Sequence, residues 1–192
     1  MSVTNKPQKL KVRRLLEDLN SGNETKISSA LKALQLNGDS SVLNPIADLL
    51  KTDISAKNRQ EIVDFLSCLN DSSTIDSMIE IVKDSNYLSI RQELLSTMWN
   101  NKLDYTYFLP EFVEIAVEGS FMEALECLTI IENLEGPFEE RHILESQLHL
   151  KEYINDKSPK DPQKAQIMSE IALLIKDYDL MDEDDNIDFF NE

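Results

Sequence analysis

The chain reads as an all-α protein: a right-handed α-α superhelix, or α-solenoid, of about four helix pairs plus capping helices. Three observations predict this. The words "DSSVLNPIADLLK" at 39–51 and "DSSTIDSMIEIVK" at 71–83 are near-copies spaced by 32 residues. "RQEIVDFL" from Arg59 and "RQELLSTM" from Arg91 recur at the same spacing, so a whole unit repeats. Around these words apolar residues fall at i, i+3, i+4 and i+7, the spacing of one helix face. A helix pair with one apolar stripe cannot bury it alone, whereas stacking against neighbouring pairs does.

Taken in order, Val12, Leu15, Leu16 and Leu19 predict an opening cap helix over 8–20, whose outer face carries Lys9, Lys11, Arg13 and Arg14. The first repeat, 24–52, places Ile27, Ala30, Leu31 and Leu34 on one helix. Gly38 is expected to stop it, and the Asp-Ser-Ser oxygens then cap a second helix with Leu43, Ile46, Ala47 and Leu50 inside. The second repeat, 56–84, follows without a gap: Ile62, Phe65, Leu66 and Leu69, then Ile75, Met78, Ile79 and Val82. The third, 88–118, has Leu94, Leu95 and Met98, a longer turn "NNKLDYTY", then Leu109, Phe112, Val113 and Ala116. A divergent fourth, 120–154, opens with Ser120 and Glu123 at capping-box spacing and continues past "EGP" into a long helix. Asp161 and Pro162 start a closing cap helix over 162–180, and 181–192 is an acidic tail expected to be flexible. One solenoid domain over 1–180 is therefore expected.

Composition narrows the partners. The formal charge is −17, from 19 Lys and Arg against 36 Asp and Glu. Nucleic-acid binding draws on cations that displace counterions, so no nucleic acid is expected, and a protein with a basic segment is. No apolar run approaches the ~20 residues of a membrane span, and the first residues lack a signal-peptide core. No membrane partner and a cytoplasmic location are expected. Cys68 and Cys127 read as buried, reduced thiols on apolar helix faces.

The stretch "ALKALQLNGDSSVLNPIADLL" resembles the HEAT-like (armadillo-type) repeat: a small-residue-rich first helix, a Gly-Asp turn and a leucine-rich second helix. The resemblance covers 24–118 well and 119–154 loosely. It implies that the second helices line a concave face that grips a segment of another protein. It also implies a ladder in which a turn aspartate pairs with an arginine of the next repeat. Here that would be Asp39 with Arg59 and Asp71 with Arg91, each 20 residues apart and worth about 1 kcal/mol per rung.

Aligning the repeats places Asp48, Glu80 and Glu114 at one position of the second helices, with Asp76 one turn from Glu80. This acidic stripe is the expected partner surface. Trp99 and Tyr105 form a second candidate, an exposed aromatic patch, because Trp99 aligns with polar positions and hot spots favour Trp and Tyr. His142, Glu145 and His149 fall along one helix face, yet the span between the two histidines is ~10 Å, too long for one ion. No cofactor and no metal are expected. No Gly-x-Ser-x-Gly, His-Glu-x-x-His or phosphate loop occurs, so the function read from the sequence is a non-enzymatic scaffold or adaptor. Two alternatives stand beside it: a metal-dependent or other enzyme using the His142/His149 helix, and an acidic DNA-mimic inhibitor.

Overall fold

The computed structural model describes residues 6–37 and 39–187. Every regular element among them is helical. The α-helices are α1 (Lys6–Leu19), α2 (Glu24–Asn37), α3 (Leu43–Leu50), α4 (Ala56–Ser67), α5 (Ile75–Lys83), α6 (Arg91–Met98), α7 (Leu109–Glu118), α8 (Phe121–Glu132), α9 (Glu140–Asn155) and α10 (Pro162–Ile187). Short 3-10 turns lead into α3, α5, α6 and α7. Gly38 lies outside the described residues, as do 188–192 of the tail.

The chain forms two compact units, Met1–Leu103 and Asp104–Glu192. The boundary falls in the long turn "NNKLDYTY", inside the stretch expected to be the third repeat. Thus α6 belongs to the first unit and α7 to the second.

In the first unit the repeated words explain the helix starts. The Asp39 carboxylate accepts from the Ser41 N–H at 3.0 Å, and Asp71 accepts from the Ser73 N–H at 3.0 Å. Each aspartate therefore caps the 3-10 turn that opens its second helix. Ser55 plays the same part for α4 through the Asn58 N–H. Satisfying these otherwise orphaned donors is worth about 1 kcal/mol per cap. Helices α2, α4 and α6 pack side by side as one layer, α3 packs on α5 as another, and α1 lies against α2 and α3. Ile27, Leu31, Leu34, Ile46, Leu50, Ile62, Leu66, Met78, Val82, Leu94 and Leu95 fill the space between. Burying each such side chain contributes about 1.5–3 kcal/mol. Cys68 departs from expectation: it is exposed, at the C-cap of α4, where the 100° step of a helix puts it off the stripe of Ile62, Phe65 and Leu66.

In the second unit α7 packs on α8 and α9, and α10 packs on both α8 and α9. Ser120 and Glu123 form the expected capping box. Just before it Gly119 permits a close approach: a Cβ there would sit 2.7 Å from the Ile115 carbonyl oxygen. Leu109, Phe112, Val113, Ala124, Cys127, Leu128, Ile131, Ile143, Met168, Ile171 and Ile175 make the core. Tyr178 ties α10 to α8 through its hydroxyl, which donates to the Ile131 carbonyl at 2.9 Å, while its ring stacks on Phe138. Helix α10 runs on to Ile187, past Leu180 where the closing helix was expected to end.

The unit boundary also divides the charge. Residues 1–103 hold 13 Lys and Arg against 13 Asp and Glu, and residues 104–192 hold 6 against 23. The first unit is formally neutral, and the second carries the whole −17.

Candidate interaction surface

Three of the four acidic residues predicted to meet a partner are solvent-facing. Asp48 on α3 and Asp76 and Glu80 on α5 are exposed, on two helices that pack together. Asp48, however, is engaged by its own chain. Lys51 lies 2.7 Å from its carboxylate, and the Tyr87 hydroxyl donates to it at 3.1 Å. The Lys51 ammonium also sits 4.3 Å above the Tyr87 ring. Hydrogen bonding to Asp48 raises the Lys51 pKa above the ordinary lysine value, with partial desolvation opposing it. Glu114, half-buried on α7, belongs to the second unit.

The aromatic pair divides. Trp99, at the C-cap of α6, is 41% exposed. Tyr105 is 2% exposed, with its ring edge-on to Phe112 at 5.9 Å between centroids. It is a core residue of the second unit and drops out of any exposed patch. The reason is local: Tyr105 and Phe112 straddle the turn into α7, and two rings there satisfy each other's apolar surface.

Polar contacts between neighbouring first helices occur in the first unit, on residues other than the expected aspartates. Asp39 and Asp71 turn to the serines two residues on, because those backbone donors are nearest. Hydrogen bonds from the Ser73 backbone and hydroxyl hold the Asp71 carboxyl below its ordinary pKa. Arg59 reaches instead from α4 to α6, where its Nε and Nη2 meet the two Glu93 oxygens at 3.0 and 2.5 Å. Its Nη1 donates to the Leu50 carbonyl at the end of α3. One repeat earlier, Glu61 accepts from Ser28 of α2 at 2.5 Å and from Asn58 at 2.9 Å. Buried Asn58 also donates to the Glu24 carbonyl and to Ser28. Glu61 and Glu93 are the third residues of the two "RQE" words. The repeated contact is therefore this glutamate reaching back to the preceding first helix. Arg91, expected to pair with Asp71, is 7% exposed and lies among the buried residues at the start of α6.

The histidine helix does not gather its candidates. His142 is buried, with Tyr107 edge-on at 5.9 Å, while Glu145 is exposed. His149 lies 3.9 Å from Glu152. No group of three His, Cys, Asp or Glu among the described residues could hold a metal ion.

Two lysines do a structural job that the sequence reading missed. Lys160 donates to the Asp156 carbonyl at 2.6 Å and also to the Tyr153 carbonyl, at the end of α9. Lys164 donates to the Val117 carbonyl at 2.6 Å and to Gly119, at the end of α7. Both place a cation where helix carbonyls are orphaned and the dipole is negative. The signal available was two lysines four residues apart astride the start of a helix.

No helix among the described residues is long and apolar enough to cross a membrane. Compared with protein-family models, with curated proteins and with solved structures, the chain gives no match.

Proposed function

We propose that each unit is a stretch of HEAT-like, right-handed α-solenoid, and that the protein is a non-enzymatic scaffold or adaptor taking a basic segment of another protein. Repeated words, paired helices and layers of first and second helices within the first unit support the repeat reading. The observation that carries the functional reading is the charge: −17, all of it in residues 104–192. Such a field draws in cationic partners and repels nucleic acid and anionic lipid.

Within the first unit the exposed carboxylates Asp76 and Glu80 of α5 are proposed to meet the segment, and within the second the half-buried Glu114 of α7 is proposed as a contact of its own. Asp48 joins them only by giving up Lys51 and Tyr87. The test is affinity capture from native lysate with wild type and with Asp48→Asn/Glu80→Gln/Glu114→Gln. Wild type should retain a basic protein that salt releases, and the triple variant should lose it. Unchanged capture by the variant overturns the role of these residues. The same charge supports a second reading, an acidic mimic of DNA that fills a DNA-binding groove. Competition by duplex DNA for the captured protein separates the two.

A further inference from the structure

We infer that the outward face of the α9–α10 hairpin docks a basic amphipathic helix of the partner protein. This rests on the proposed function and adds a second contact of stated form, within the second unit, to the carboxylates named there.

Helix α9 turns His142, Ile143, Ser146 and Leu150 inward, and α10 turns Met168, Ile171 and Ile175 inward. The 100° step of a helix then directs Leu144, Leu148 and Leu173 outward. Their exposures, 51%, 59% and 62%, agree. Because α9 packs on α7, α10 on α8, and the two on each other, these leucines lie on the side of the hairpin turned away from the α7–α8 pair. An uncovered face of a helix pair is ordinarily polar. Here Leu144 and Leu148, one turn apart, present the i, i+4 anchors that an amphipathic helix recognises.

Charge selects the occupant. A second copy would bring one −17 unit against another, and an anionic membrane would be repelled as well. Glu140, Glu145 and Glu152 on α9 and Asp177 on α10 are exposed around the leucines, with Lys151 and Lys176 among them. Arg141 is paired with Glu139 at 2.7 Å. The helices run antiparallel across a short connection, and Gln147 of α9 donates to Asp179 of α10. Leucines framed by carboxylates fit a helix with an apolar stripe and lysine or arginine flanks.

The test uses the full chain and three labelled peptides of about fifteen residues. One is a Leu/Lys peptide with leucines at i, i+3, i+4 and i+7, one is its scrambled isomer, and one is the patterned Leu/Glu counterpart. Fluorescence anisotropy near physiological salt should show the patterned Leu/Lys peptide binding about tenfold tighter than its scrambled isomer, and the Leu/Glu peptide not binding. Leu144→Gln/Leu148→Gln should erase that preference, and a circular-dichroism melt should match wild type because both leucines are exposed. Retention of the preference by this variant, or equal binding of patterned and scrambled peptides, overturns the inference while leaving the proposed function standing. A wild-type dimer in light scattering that the leucine variant lacks also overturns it, since a second copy then covers the face. No binding of any basic peptide overturns both.

Discussion

At the scale of single residues, the first unit is tied together by carboxylates whose partners are specific and testable. The Ser28 hydroxyl holds the Glu61 carboxyl below the ordinary glutamate range, against an opposing effect of burial and with help from Asn58. A folded-state pKa below the unfolded one means that the stabilisation is complete above the unfolded value and is lost as pH falls through the folded value. Urea-unfolding midpoints should therefore fall on acidification through and below the usual glutamate range, and Glu61→Gln should flatten part of that limb. A double-mutant cycle on Arg59 and Glu93 should return a coupling of about 1 kcal/mol, since the pair is bidentate yet partly exposed. The cycle on Asp39 and Arg59 should return none. Sequence spacing alone could not separate these outcomes. An interval of 20 residues links both Asp-Arg pairs, but an interval of 32 links the two glutamates equally well. Only the packing of α4 on α6 decides which charge lies within reach.

At the scale of elements, apolar periodicity and cap residues place the helices closely, since both are local. Val12 to Leu19, Ile27 to Leu34 and Leu109 to Ala116 lie where the stripes predict. Elements governed by tertiary neighbours were less legible: the apolar pattern gave no sign of the six-residue 3-10 turn Ser85–Ile90 ahead of α6, and Tyr105 is buried. The junction of α7 and α8 shows how little freedom a tight connection has. Gly119→Ala should lower stability by about 1–3 kcal/mol, because the new methyl meets the Ile115 carbonyl and Glu123 Cβ at 2.7 and 3.0 Å. Ser120→Ala should cost about 1 kcal/mol by removing the cap. Thermal midpoints of the two variants check both values. Trp99 offers a readout at the end of α6: being 41% exposed, its emission should be quenched by iodide, and Trp99→Ala should alter stability far less than Tyr105→Ala.

At the scale of the whole molecule, the division of charge was written in the sequence but invisible without the unit boundary. Counting over 192 residues yields an acidic protein, whereas counting either side of Leu103 yields a neutral unit and a strongly anionic one. Self-repulsion in the second unit should be relieved by salt, while the first has no net charge to screen. Trp99 is the sole tryptophan and belongs to the first unit, so its fluorescence reports on that unit. Raising salt from about 0.01 to 0.2 M should leave the tryptophan melt nearly fixed and move the circular-dichroism melt upward. Coincident movement of both probes would show instead that the units melt as one. The two cysteines add a practical consequence. Cys127 is buried and Cys68 exposed, so a maleimide dye should attach to the folded wild-type chain at a single known position. The first unit thus carries its own attachment point for a fluorophore, and arrival of a partner can be followed without engineering a single residue.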